Sequence, residues 1–263
     1  MAHALHSILP SEDLVYFGDT AHLPYGDKSK ETILHYSLGI ADFLLKQKCK
    51  VILIACNTAS ANAFEEVKAH VGKRAVVMNV IDPVVDFVCK PADDDYPDDD
   101  PSISSKTIGI IGTKATIDSG SYQKKILARA TKSRKIQVSS LATPLFVPMI
   151  EEGFVFDDIS NAIIRSYLSR RELNSIDSLI LGCTHYPIIR NQISRYLDFK
   201  VQVHDTAKIV AKAVRNFLME NELLNDQAEG KNEFFVSDHT PYFEVIASMF
   251  FNEKIHLEKR NIW

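Results

Sequence analysis

Two of the four cysteines in this 263-residue chain stand where a thiol can do chemistry. Cys56 follows the apolar run KVILIA (50–55) and precedes Asn57, Thr58, Ala59 and Ser60. Cys183 follows SLILG (178–182) and precedes Thr184, His185, Tyr186 and Pro187. Each pattern predicts a thiol at the carboxyl end of a strand and the amino end of a helix, with Pro187 suited to a first helical turn. Open α/β sheets hold ligands at such places, and a helix amino end holds anions and lowers a thiol pKa from its usual value of about 8.5. Cys49 lies between lysines and Cys89 inside a helical pattern, so both read as small buried hydrophobes.

Two thiols of this kind allow three chemistries. They could form a redox pair, Cys183 could act as a nucleophile with His185 as its base, or the two could be opposed acid–base groups that invert a carbon centre. A weak internal echo favours the third. Phe17–Ala21 (FGDTA) resembles Val203–Ala207 (VHDTA), and Ala55–Thr58 (ACNT) resembles Gly182–His185 (GCTH). A racemase must remove a proton from one face of a carbon and return one to the other. Two related half-sites supply that pair of like groups.

The elements that must position these thiols alternate between β-rich and amphipathic runs. Strands are expected at 14–17, 50–55, 75–80, 107–111, 136–141, 178–181, 200–203 and 233–236. Leu34, Leu38, Ala41 and Leu45 lie at the spacing of one helical face, with Ser29 and Thr32 near its start. KVILIA and SLIL are continuous rather than alternating, which suits parallel strands covered on both faces. The expected class is α/β: two pseudo-symmetric lobes, each a mainly parallel sheet flanked by helices, with the site between them. Residues 91–106 (PADDDYPDDDPSISSK) are too polar to pack and read as an acidic loop or linker. They lack the glycine and terminal glutamate of a calcium-binding EF-hand loop. The first lobe is expected to comprise residues 1–90 with a C-terminal return over 208–263, and the second lobe residues 107–207.

Composition excludes several functions. With 46% apolar residues the chain can bury a core, and 30 Lys+Arg against 34 Asp+Glu leave no positive field to steer it to nucleic acid or an anionic membrane. No apolar run approaches the roughly 20 residues needed to span a bilayer, and Met1–Pro10 has no basic region ahead of an apolar stretch. A cytoplasmic location is expected. The cysteines are too few and scattered for a disulfide scaffold, no His-x-x-x-His pair suggests a metal, and no lysine sits in a phosphate-cradling loop of the pyridoxal type. Gly109–Thr113 (GIIGT) lacks the third glycine and the lysine of nucleotide-binding loops.

Five motifs, Gly18–Gly26 (GDTAHLPYG), Ala55–Ala61 (ACNTASA), Gly109–Ser119 (GIIGTKATIDS), Pro144–Gly153 (PLFVPMIEEG) and Gly182–Pro187 (GCTHYP), resemble those of the glutamate racemases in the cofactor-independent Asp/Glu racemase family. The match extends to Val236–Asp238 (VSD). The resemblance implies two α/β lobes around the substrate, no cofactor or metal, commonly a homodimer, and supply of D-glutamate for peptidoglycan. Cys56 and Cys183 match the catalytic pair, and Tyr25, Gly26, Asn57, Thr58, Thr184 and His185 match substrate-holding residues. His185 is also placed to assist Cys183, and Glu151 or Glu152 to orient His185. The related aspartate or broad-specificity amino-acid racemases, a Cys183/His185 thiol hydrolase and an inactive binding protein of the same fold are the alternatives. Family members begin with a strand and an Asp-Ser-Gly loop, and Met1 falls at the helix that follows. Asp118-Ser119-Gly120 belongs to a different motif and does not replace it. On this reading the first lobe lacks a central strand and an acidic group near Cys56, two strand edges are left open, and activity is impaired.

Overall fold

In the computed structural model the described residues are 1–90, 105–130, 135–239, 244 and 255–263, so most of the acidic loop predicted at 91–106 lies outside them. The chain opens with helix α1 (Ala2–Ile8), strand β1 (Leu14–Gly18), helix α2 (Lys30–Lys46), strand β2 (Val51–Ile54), helix α3 (Asn57–Val71), strand β3 (Val76–Asn79) and helix α4 (Asp82–Cys89). There follow β4 (Ser105–Gly112), α5 (Lys114–Asp118), α6 (Ser121–Arg129), β5 (Lys135–Ala142), α7 (Phe146–Glu151), α8 (Asp158–Leu168) and β6 (Ser178–Gly182). The chain closes with α9 (Arg190–Tyr196), β7 (Gln202–Val203), α10 (Thr206–Glu220), β8 (Asn232–Val236) and β9 (Leu257–Lys259). All eight predicted strand runs are strands, with ends shifted by one or two residues. The fold class is α/β, and every strand pairing among the described residues is parallel.

The second lobe is a four-stranded sheet in the order β5-β4-β6-β7. β6 (SLILG) is buried along its whole length, which is why its sequence is continuously apolar and not alternating. Leu179 and Leu181 face a cluster with Phe146, Ile164 and Ile189, while Ile180 faces the opposite cluster with Ile108, Ile110 and Ile126. Each such side chain contributes about 2 kcal/mol by leaving water. The second cluster also holds Val84, Val85 and Val88 of α4 and Val210, Val214 and Leu218 of α10. These helices, grouped by sequence with the first lobe, therefore cover one face of the second sheet. The same cluster also takes in Val51 and Leu53 of β2 and Met78 of β3, so it joins the two lobes.

The first lobe is built differently. Its strands form a three-stranded sheet, β1-β8-β9, and a separate pair, β2-β3. The C-terminal return is β8, which pairs in parallel with β1 along Leu14–Gly18. In the second lobe β4 stands between β5 and β6; among the described residues no strand stands between β1 and β2. Each keeps one unpaired edge, and both are only partly buried over most of their length.

Helix α2 starts as its sequence predicts, with the Ser29 hydroxyl accepting from the Thr32 N–H at 3.2 Å. Its deepest residues are Ile33, Ser37 and Ala41, with Leu34, Leu38 and Leu45 flanking. Helix α3 buries Ala59, Ala63, Val67 and Val71, a stripe at intervals of four that packs with Ile52 and Val77 of the β2-β3 pair. That packing fixes the amino end of α3, and with it Cys56. No described helix is long and apolar enough to cross a membrane.

Candidate active site

The two thiols stand at the ends of β2 and β6, near enough for charge on Cys183 to raise the pKa of Cys56. Their surroundings differ more than the sequence predicts. Cys56 is the residue that caps α3, with extended backbone angles and a true α-helix beyond it. Amides of Ala59 and Thr58 and the Thr58 hydroxyl favour its thiolate, yet burial outweighs them and its pKa is raised, not lowered as the helix position alone suggests. Cys183 lies at a bend, followed by a turn and then a short 3-10 helix over Tyr186–Ile189 with Pro187 in its first turn. The helix predicted beyond it is thus a tighter turn with little dipole. Proline suits the start of either helix type, so the sequence did not separate them.

What Cys183 has instead is a cation. His185 Nδ1 lies 3.7 Å from its sulfur, and His185 Nε2 lies 3.3 Å from Glu151 Oε1 at the end of α7. Burial lowers the imidazole pKa, but the hydrogen bonds to Cys183 and Glu151 and their charges outweigh it and raise the value to about 10. Of the two glutamates considered, Glu151 is the partner; Glu152 is exposed at the end of α7. The turn that aims His185 is anchored by Tyr186, fully buried, whose hydroxyl meets Thr143 Oγ1 at 2.7 Å and donates to the Thr143 carbonyl at 3.2 Å.

Asn57 and Thr58 open α3 and are both buried. Thr58 Oγ1 meets the hydroxyls of Thr113 at 2.9 Å and Thr116 at 3.2 Å, across the junction of the lobes. The same seam carries Asn62 to the Ala115 carbonyl and Ser121 to the Ala61 carbonyl. Sequence reading carried Thr113 and Thr116 only inside a motif and gave them no role. Their signal was there, since a Thr-x-x-Thr beyond a buried strand is a helix cap: Thr113 accepts from the Thr116 N–H.

Tyr25 and Gly26 lie in a short 3-10 turn after β1 that touches α5 of the other lobe. A Cβ on Gly26 would stand 2.9 Å from Thr113 Cβ, so only glycine permits this approach without displacement. The Tyr25 hydroxyl is not free: it donates to Asp19 Oδ2 at 2.5 Å. Burial, and then that carboxylate, hold its pKa well above the usual tyrosine value. Asp19 is itself buried, and its Oδ1 accepts from Ser237 Oγ at 2.7 Å and meets His22 Nδ1 at 2.7 Å. The VSD stretch at the end of β8 therefore props the loop. The sequence holds Asp19 only within the GDTAHLPYG motif; an aspartate one residue beyond a buried strand end is the signal.

Replacing Asp19 by alanine leaves three donors inside the protein without their acceptor, so we expect a loss of about 2 kcal/mol in chemical denaturation. Asn at the same place keeps one acceptor and costs less. Equal stability of the two variants would show that the network does not hold the loop.

Thr184 and His185 are partly exposed, whereas Cys183 is buried. Among the described residues no three His, Cys, Asp or Glu side chains gather as ligands for a metal ion. The arrangement offers two thiols at two strand ends, Cys56 with helix amides and the Thr58 hydroxyl and Cys183 with an imidazolium. Such a site can hold a small carboxylate and move protons at a carbon between the sulfurs.

Comparison with known proteins points the same way. Residues 1–214 match the Asp/Glu/hydantoin racemase family. The chain is similar to a glutamate racemase of Geobacter metallireducens, 37% identical over 94% of this chain and 86% of that protein. Its fold superposes on a crystal structure of glutamate racemase from Francisella tularensis in complex with D-glutamate, with a TM-score of 0.85, 37% identity, and coverage of 99% of this chain and 92% of that one. A glutamate racemase isoform from Bacillus anthracis superposes with a TM-score of 0.87 at 27% identity, again over 99% of this chain and 92% of the other. The family model and the likeness over nearly the whole length agree, and the chain belongs to the Asp/Glu/hydantoin racemase family.

Proposed function

We propose that the chain interconverts L- and D-glutamate by two-base proton transfer at Cα, supplying D-glutamate for peptidoglycan. The observation that carries this reading is the pair of thiols at two strand ends, each with its own charge-stabilising partner. The sulfur of one cysteine, as thiolate, takes the Cα proton. The Cα–H pair of electrons passes into the adjacent carboxylate, and the S–H of the other cysteine returns a proton to the opposite face. Each sulfur ends in the state the other began in, so the reverse reaction exchanges their roles. His185 stands as the hydrogen-bond partner of the Cys183 sulfur, and the amino end of α3 favours the thiolate of Cys56 against the cost of burial. Asn57, Thr58, Tyr25, Gly26, Thr184 and His185 form the substrate-holding set, and neither cofactor nor metal is required. The reading extends to a cytoplasmic enzyme of two lobes, residues 1–90 with 208–263 and residues 107–207, working as a homodimer. Glutamate is preferred to aspartate because the similar proteins act on glutamate.

The test is purified chain in deuterium oxide with each enantiomer of glutamate and of aspartate. We expect loss of optical rotation with deuterium entering Cα of the product, faster for glutamate. Absence of Cα exchange in all four would overturn the reading.

One arrangement favours a second reading. Cys183, His185 and Glu151 form a thiol–imidazole–carboxylate series, the order of parts in a thiol hydrolase. The dependence on Cys56 separates the two.

A further inference from the structure

Tyr122, in the first turn of α6, touches the neighbour of each thiol. Its hydroxyl donates at 2.7 Å to Oδ1 of Asn57, the residue after Cys56. Its ring Cε2 lies 3.5 Å from the place a Cβ would take on Gly182, the residue before Cys183. The ring is buried in the core with Ile110, Ile126 and Ile180, so the hydroxyl is held from behind by the packed face of the second sheet. No part of the mechanism above uses it.

Its consequence lies in Asn57. A primary amide has two ends, an acceptor and a donor, and a buried amide turns whichever end its neighbours select. Tyr122 takes the oxygen. Among the described residues nothing accepts from Asn57 Nδ2, and that nitrogen is not sealed in the core. The N–H pair is thus the end left for a ligand. A donor suits a carboxylate, whereas the oxygen would repel one.

We propose that Tyr122 is a positioning residue: its hydroxyl fixes the Asn57 amide so that the N–H pair faces the carboxylate of the bound amino acid. The inference rests on the racemase reading for the identity of the ligand, and on the hydrogen bond alone for the orientation. Burial, together with the charges of Cys183 and Asp82, holds the phenol well above its usual pKa, so it stays a donor throughout the range in which the enzyme works. A hydroxyl that ionised would lose this role.

The test is Tyr122→Phe, which keeps the ring and its packing and removes only the oxygen. In the native chain the Asn57 side-chain N–H pair is expected as one sharp pair in nitrogen-15 spectra. In the variant it shifts and broadens as the amide samples both orientations. The KM for glutamate rises about 5- to 30-fold, the effect of one hydrogen bond of about 1 to 2 kcal/mol, with kcat changed less than threefold. In an Asn57→Ala background the same Tyr122→Phe change leaves KM within twofold, because the amide it orients is gone. An unaltered Asn57 signal in Tyr122→Phe overturns the inference, whether or not the chain turns over glutamate. An equal rise in KM in both backgrounds also overturns it. An inactive native chain whose Asn57 signal still responds to Tyr122→Phe would support the orientation and count against the racemase reading alone.

Discussion

Replacing either Cys56 or Cys183 by alanine is expected to lower racemisation of both enantiomers by about 10³-fold or more, the range in which a positioned acid or base contributes. Replacing Cys49 or Cys89 leaves it within about twofold, since Cys49 precedes β2 at the end opposite Cys56 and Cys89 closes α4, each in apolar packing. The reason for the symmetric loss is stoichiometric. One sulfur must open the Cα–H bond and the other must close it, so removing either blocks both directions. A finer consequence separates the thiols. With Cys56 changed to Ser, Cys183 and His185 still form a base, and the proton that faces Cys183 can leave and return on the same face. Deuterium then enters one enantiomer without inversion, while the other is inert. The mirror result is expected for Cys183→Ser. Proton NMR of each enantiomer in deuterium oxide reads both effects. A Cys56→Ala chain that keeps full turnover would exclude the two-base mechanism and favour the thiol hydrolase reading.

The pattern of burial decides how much of this was legible in the sequence. Continuous runs such as SLIL and KVILI mark strands because β2 and β6 are covered by helices, and a polar residue following such a run must lie at a strand end. Cys56 and Cys183 were therefore found from local pattern alone. The short strand β9 is not legible in the sequence, since the three residues Leu257, Glu258 and Lys259 carry no periodicity; its pairing with β8 is tertiary. Amphipathic spacing likewise marks α4 and α10 as helices without saying which sheet they cover, and both pack on the second lobe's β4 and β6. The same limit applies within the site. Asp19, Thr113, Thr116, Tyr122 and Ser237 act through partners distant in sequence, and no spacing rule joins Asp19 to Ser237 across most of the chain. The pKa of Cys56 shows where a local rule fails. Helix position predicts a lowered value, but the packing of α3 that creates the helix end also buries the sulfur, and burial is the larger effect.

The charge on His185 gives the second large prediction, and its sign follows from its two partners. A free histidine loses its proton near pH 6.5; here the value is raised to about 10 because Cys183 and Glu151 favour the imidazolium more than burial opposes it. A raised value in the folded state contributes stability that is complete below about pH 6.5 and is lost as pH rises through about 10. Changing Glu151 to Gln removes one of the two negative partners. The His185 pKa then moves down toward that of a free histidine, and its stabilising effect disappears at correspondingly lower pH. Activity should follow, because the deprotonated imidazole no longer favours the Cys183 thiolate. The alkaline limb of kcat/KM, set in the native chain by His185, moves to lower pH in Glu151→Gln, while Glu152→Gln leaves the profile in place. Direct titration of the His185 ring by nitrogen-15 NMR distinguishes this from a structural effect, since a merely loosened α7 would lower activity at every pH without moving the titration. A His185 titration unchanged by Glu151→Gln would show that the carboxylate does not reach the imidazole in solution. A profile shifted toward higher pH would reverse the sign and assign the ion pair to another partner.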